Sequence, residues 1–460
     1  MNKLPREILS QIIQRVPCMP WNTDTQPIIP LTHVCQHWRA FIIATPQIWT
    51  SISNRSRGLA ALSLQRAKAV PLEFWLDMSR LKKRREFSGL INSHIQNAKT
   101  LRFFGFRAIE ELSQTLPNLP RPMPNLQSLT LDRSGNTEQK DSVDPFESLA
   151  PTLRYLKLVD VPLYPSFLRL RALTELALRY RQLRLNVNSD TLLGFLEDNH
   201  SLKSATLDIE NLDPCSQRGT AIMNRLQHLS ITCHNRRDKN AHRSDTFLSN
   251  IALRKGAHLE LLSCTLASLN EVLSDIPAVQ LPNLLSPTFL QYEFSSCRRI
   301  RLLGPNGRFS SQEPYSGNAR PFVEFPLLPL TNIRDFHLKQ VHGSGWEPFD
   351  PSFLPALETL VVNCQIGALS LLLSALFLNP SFPPSLKTLA FLNCSPSGDF
   401  MEALTKFASN RKNTTSAWLH RVVIVDSKEN LPTTASINAL GKHVPDVDIR
   451  VGERLPTDLA

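Results

Sequence analysis

Three side chains of the kind that ligate metals stand close together near the N-terminus: His33, Cys35 and His37. Imidazole nitrogen and thiolate sulfur both suit zinc. The spacing does not. On a helix, residues two apart point to different sides, so the three cannot converge on one ion. Cys35 fits better as part of an apolar stripe. Other chemistry has no more support. The chain has no Walker-type phosphate loop, no G-x-S-x-G and no H-E-x-x-H. Aspartates and glutamates are numerous, yet no isolated pair stands out. No metal site, cofactor or catalytic group is expected, and the chain reads as a binding protein rather than an enzyme.

The residues that could recognise a partner come from a recurring pattern. From about residue 95, an apolar residue is followed by two variable positions, an apolar one, a variable one and a third apolar one. Clear copies are Leu126-Leu129-Leu131, Leu153-Leu156-Leu158, Leu173-Leu176-Leu178, Leu226-Leu229-Ile231, Ile333-Phe336-Leu338, Leu357-Leu360-Val362 and Leu386-Leu389-Phe391. Weaker ones are Ala98-Leu101-Phe103, Leu202-Ala205-Leu207, Leu259-Leu262-Cys264, Cys297-Ile300-Leu302, Leu419-Val422-Ile424 and Val444-Val447-Ile449. Successive copies usually start about 20–38 residues apart, close to the leucine-rich-repeat period.

Each copy would form one short strand whose buried side needs neighbours to cover it. Stacked copies would give an α/β solenoid over 96–460, with a parallel sheet on the concave face and helices or loops outside. Helices are expected at Asp190–Asn199, Gly367–Leu378 and Phe400–Ser409. Pro-x-Leu introduces several strands, as at Pro124, Pro151, Pro355 and Pro384, where proline does not break the ladder. The polar stretch Gly304–Pro321 reads as a long surface loop.

Side chains alternate along a strand, so the variable positions should face the open side. That selects Tyr155, Lys157, Glu175, Arg179, His228, Arg299, Arg301, Asp335, His337, Lys339 and Asn363 as a binding face. Its basic and aromatic members, Tyr155, Lys157, Arg179, Arg299, Arg301, His337 and Lys339, are the candidate contacts to a target protein.

The N-terminal fifty residues have a different period. Pro5 suits the start of a helix, and Ile8, Leu9, Ile12, Ile13 and Val16 give that helix a broad apolar face. Pro17–Pro30 reads as a surface loop. A second helix is expected from Leu31, with Leu31, Val34, Cys35, Trp38, Phe41 and Ile42 in one stripe, and it should end before Pro46. Residues 53–95 should join this unit to the repeats as a cap, with a helix over Ala60–Ala69 and a strand over Pro71–Leu76.

Leu4-Pro5-Arg6-Glu7-Ile8-Leu9 resembles the opening of an F-box, and Val34-Cys35-Gln36-His37-Trp38-Arg39 resembles its second half. Thr45-Pro46-Gln47-Ile48-Trp49 resembles the ending of the F-box variant abundant in fungal proteins. The three pieces come in the family's order and cover 1–52, and the repeats behind them resemble those of F-box proteins with leucine-rich repeats. The Asn/Cys ladder of regular repeats is nearly absent, however, with Cys394 in place and Cys233 and Cys364 one residue early. The resemblance implies docking to a Skp-family adaptor, and through it to a cullin ubiquitin ligase. By matching position, the docking residues would be Leu4, Pro5, Ile8, Leu9, Leu31, Val34, Cys35 and Trp38. The alternative is a leucine-rich-repeat interaction scaffold with no link to ubiquitination.

Composition agrees with a protein-binding role. The net charge of +11 suggests nucleic acid, but acidic residues are interleaved along most repeats and no aromatic–basic platform is evident, so nucleic acid is not the expected partner. Two basic runs, Arg80–Arg85 and Arg236–Arg243, read mainly as solvated surface. With 34 prolines and 16 glycines, rigid short connections are favoured over phosphate-cradling loops. Eight cysteines without a C-x-x-C do not form a disulfide framework. No apolar run reaches the roughly 18 residues of a membrane span, and no signal peptide is evident. Cytoplasm or nucleus is the expected compartment.

Overall fold

The computed structural model describes residues 5–15, 28–81, 85–107, 123–133, 152–180, 188–208, 219–232, 247–248, 250–262, 281, 286–294, 297–314, 330–340, 353–363, 383–394, 396–414, 418–426 and 432–451. Leu4, most of the Pro17–Pro30 segment, Lys82–Arg84, the second basic run and the helix expected at Gly367–Leu378 lie outside these residues. The chain divides into two compact units, Met1–Asp213 and Pro214–Ala460. The architecture is mixed α/β with mostly parallel strands.

In the first unit, β1 (Ser51–Ser53), β2 (Leu72–Asp77), β3 (Ala98–Phe106), β4 (Ser128–Arg133), β5 (Tyr155–Val159), β6 (Glu175–Arg179) and β7 (Ser204–Asp208) pair in chain order, all parallel. The register stacks the second and third apolar positions of each repeat. One row runs Phe74, Leu101, Leu129, Leu156, Leu176, Ala205, and the next runs Leu76, Phe103, Leu131, Leu158, Leu178, Leu207. All twelve are buried. Burying a leucine-sized side chain contributes about 1.5–3 kcal/mol, so the rows are what holds the strands in register. The segment 53–95 supplies β2, a full member of this sheet. It also supplies a helix, Arg57–Ala67, whose N-cap Ser56 hydroxyl accepts from Leu59 N–H.

Two buried asparagines link turns to this frame. Asn54 bonds both backbone groups of Asp77, Nδ2 to the carbonyl at 2.7 Å and Oδ1 from the N–H at 3.0 Å. Asn199 follows the helix Ser189–Asp198; its Nδ2 donates to Leu170 and Phe195 carbonyls and its Oδ1 accepts from Leu173 N–H. With every polar atom bonded, burial costs these amides little.

The second unit is less regular. Its strands are β8 (Ala221–Met223), β9 (His228–Thr232), β10 (Ile251–Leu253), β11 (His258–Leu262), β12 (Phe289–Phe294), β13 (Cys297–Gly304), β14 (Gly307–Pro314), β15 (Asp335–Gln340), β16 (Thr359–Asn363), β17 (Thr388–Leu392), β18 (Arg421–Asp426) and β19 (Asp446–Val451). β8 and β10 form a small parallel pair of their own. The others pair in the order β9, β11, β14, β13, β12, β15, β16, β17, β18, β19. The meander β12–β13–β14 is thus inserted in reverse, and β13 is antiparallel to both neighbours.

Three expectations fail at this insertion. Cys297-Ile300-Leu302 is not a parallel repeat, because β13 runs the other way; alternation looks the same in either direction. Gly304–Pro321 is not one long loop. Pro305-Asn306 makes a two-residue hairpin turn between paired Gly304 and Gly307, and β14 follows. Gly304 is required there, since a Cβ would come within 2.6 Å of Ser286 O. The copy Leu259-Leu262-Cys264 is misphased: Leu259 and Leu261 stack on Leu229 and Ile231. Residues 315–321 lie outside the described residues.

The last strands follow the expected pattern. The helix Gly398–Thr414 precedes β18, and Arg411 at its C-terminal end is fully buried. Its Nη2 donates to the carbonyls of Pro383, Pro384 and Leu386, tying the helix to the turn before β17.

Candidate functional site

Two surfaces carry the candidate residues. The first lies on the N-terminal helices. The helix Arg6–Arg15 buries Leu9 and Ile13 and leaves Ile8 and Ile12 exposed. Leu9, expected in a docking surface, is fully covered within the chain and cannot dock a partner as it stands. Pro5 is exposed.

The expected single helix from Leu31 is also corrected. Ile28–Leu31 is one short helical turn, and the next helix is Gln36–Ala44. Between them the Thr32 hydroxyl donates to Ile29 O at 2.7 Å and His33 N–H to Pro30 O, which closes the turn. Cys35 is the extended N-cap residue. His33 and Cys35 are therefore not helical, and the helix-spacing argument applied to them does not hold. Among the described residues, no group of three His, Cys, Asp or Glu side chains could hold a metal ion. Leu31, Cys35 and Trp38 are half-buried, while Val34 projects from the turn. Trp38 Nε1 and His37 Nε2 are both buried without a hydrogen-bond partner.

The helix does end before Pro46, where a 3-10 turn, Pro46–Trp49, begins. Trp49 is fully buried and its Nε1 donates to Ile42 O at 2.7 Å. The Arg66 guanidinium sits 4.3 Å over its ring. Trp49 therefore joins the helix Gln36–Ala44 to the helix Arg57–Ala67.

The other surface lies, in each unit taken by itself, on the side of the strands opposite the leucine rows. In the first unit, Tyr155 and Lys157 lie on β5 and Arg179 on β6 opposite Val159, so all three share that side. Tyr155 pairs across to Glu175. Burial raises the Tyr155 phenol above its ordinary value, against the pull of Arg102. Arg102 itself stacks 3.9 Å over the Trp75 ring in the adjacent strand. Arg102 and Trp75 belong to this surface by register, since the row reads Trp75, Arg102, Thr130, Lys157, Ala177.

In the second unit, Arg299, Arg301, His337 and Lys339 come together on the same side of β13 and β15, with β12 between them. Arg299 Nη2 bonds Gln312 at 3.0 Å, and its Nη1 lies 3.4 Å from Glu293. Lys339 Nζ is 3.6 Å from that same carboxylate. Arg301 bonds Gln291 at 3.3 Å. His337 packs edge-on against Phe289 at 4.6 Å, and burial holds its imidazole below the ordinary value.

Next to these lies a group the repeat spacing did not reveal. His228 Nδ1 and His258 Nδ1 are 3.1 Å apart, within hydrogen-bond distance, and His258 Nε2 is 3.2 Å from Ser310 Oγ. Glu260 Oε2 lies 3.8 Å from His228 Nε2. The spacing selects His228 alone; His258, Glu260 and Ser310 escape it, because the copy Leu259-Leu262-Cys264 is out of phase with β11 and β14 falls in the stretch that reads as a loop.

Towards β19 the same side changes character. Val361, Ala390, Leu392, Val423 and Val425 occupy it and form a buried apolar cluster. The face is therefore not open along its whole length. Runs such as Val361-Val362 and Val422–Val425 are the signature of strands covered on both sides.

The surfaces offer recognition by apolar contact at the N-terminus and by ion pairs and hydrogen bonds on the strands. The chain matches no model of a known protein family and no curated protein sequence.

Proposed function

We propose that the chain is the target-recognition subunit of a cullin-type ubiquitin ligase. The N-terminal helices would dock a Skp-family adaptor, and the repeats would form a solenoid that holds a target protein. The chain would perform no bond chemistry. Its contribution is proximity, which raises the effective concentration of target lysines.

The observation that carries this reading is the ordered triple of motifs within 1–52, joined to apolar side chains left without cover. Ile8 is 41% exposed and Val34 48%. Large apolar groups at that exposure, one on a short helix and one on the turn before the next, suit a partner surface. The docking set compatible with burial is Pro5, Ile8, Leu31, Val34, Cys35 and Trp38; Leu9 would support it from beneath. The alternative scaffold reading draws on the burial of Leu9, Ile13, Ile42 and Trp49, which shows how much of this segment the chain itself covers.

Co-expression with a Skp-family adaptor separates the two readings. The proposed function requires a complex that survives purification, under conditions where a control F-box also binds. Ile8→Asp should abolish it while leaving the circular dichroism of the chain unchanged. Recovery of the free chain alone, beside a control F-box that does bind, would favour the scaffold.

A further inference from the structure

Arg301 differs from its neighbours Arg299 and Lys339. Arg299 and Lys339 both lie against Glu293. Arg301 is exposed and its hydrogen bond goes to the neutral amide of Gln291. One register step away, Arg308 lies opposite His258, and Arg301 lies opposite Ser310, whose hydroxyl contacts His258. Two guanidiniums, Arg301 and Arg308, therefore act on one half-buried imidazole.

We propose that Arg301, Arg308 and His258 form the seat for a carboxylate from an acidic segment of a bound protein. This deepens the target-recognition reading and rests on it. A carboxylate fits better than a phosphate. Glu260 already stands in the cluster, 3.8 Å from His228, and would repel a dianion more than a single negative charge. Arginine's planar fork matches either anion, so the choice rests on charge. Arg301 can turn that fork outward at the loss of one neutral hydrogen bond.

The seat should take up a proton on binding. The charged and titratable groups facing His258 are His228 from β9, Arg308 from β14, Arg301 from β13 and Glu260 on its own strand. Burial, then His228, keeps His258 neutral, with Arg308 and Arg301 adding to the effect and Glu260 opposing it. A carboxylate seated between the two arginines cancels their repulsion and favours the imidazolium. Binding should then tighten as pH falls from 8 to 6.

The test is fluorescence anisotropy on the full chain, with a labelled decapeptide of alternating Glu and Ser, its Gln-Ser counterpart, a phosphoserine version of the Gln-Ser peptide, and a single-stranded RNA decamer. The Glu peptide should bind and the Gln peptide should not. Arg301→Gln should weaken binding about tenfold, the effect of losing one desolvated charge pair. His258→Gln should remove the tightening at pH 6. Failure of the Glu peptide to bind, equal binding of the Gln peptide, or no effect of Arg301→Gln would overturn the seat. Tighter binding of the phosphoserine peptide or the RNA would overturn the choice of a carboxylate. Adaptor capture is measured on the same variants. Arg301→Gln should retain it, so loss of peptide binding with capture intact concerns the seat alone.

Discussion

Within the second unit, the same side of one sheet behaves in two ways. From β9 to β15 it carries imidazoles, guanidiniums, carboxylates and amides in lateral contact. From β16 to β18 it carries Val361, Ala390, Leu392, Val423 and Val425, all buried. The backbone is alike in both halves, parallel and in register apart from β13. What differs is whether the side chains exchange hydrogen bonds with one another or exclude water. A recognition surface can be built on the first half. The apolar cluster of the second half is core, so its residues serve stability.

The largest predicted effect breaks the apolar half. Val423→Asp would bury a charge among valines and should cost upwards of about 4 kcal/mol, enough to lower the urea midpoint sharply or prevent folding.

The next contrasts two arginines. Arg411 is fully buried and donates to three carbonyls; burial pushes it down to about 10, so it is still charged at neutral pH. Arg411→Ala orphans those carbonyls and should destabilise by about 3 kcal/mol. Arg301→Ala, on the polar half, should change stability by no more than about 0.5 kcal/mol. Comparable losses for the two in chemical denaturation would erase the distinction.

A third prediction uses pH. Burial holds both His258 and His337 below the ordinary 6.5. The unfolded chain therefore binds more protons than the native one as pH falls below 6.5. Native stability from these groups is complete above 6.5 and declines as pH drops from 6.5 through their depressed folded values. Denaturation midpoints at pH 5 and pH 8 should differ less in His337→Gln than in the parent chain.

The smallest effect sharpens the polar half. Gln291→Glu would give Arg301 a carboxylate and should raise stability by no more than about 1 kcal/mol. It should also weaken the acidic peptide, because the seat would already be filled.

Much of the strand pattern was legible. Leu129-Leu131, Leu156-Leu158 and Leu176-Leu178 fall in aligned rows, and Val422-Ile424 aligns with Val447-Ile449. The helix near Asp190 is present one residue earlier than expected, and the helix near Phe400 extends further at both ends. The N-terminal helix break was not legible. Apolar spacing through Leu31, Val34 and Trp38 suits a helix, but the Thr32 hydroxyl closes a turn instead. The His228–His258 contact was hidden for another reason. It depends on which strand lies beside β9, and spacing within a repeat carries no such information.

The sequence by itself determined where most of the repeat strands lie and which of their side chains share a face, because alternation is local and repeats every two residues. The tertiary structure decided the direction of β13, the insertion of β14 beside β11 and the closure of one end of the face. These depend on contacts between residues far apart in the chain. The 52 residues that separate His258 from Ser310 cost entropy to close, and the hydrogen bonds of β14 to β11 and β13 offset that cost only once the strands have met.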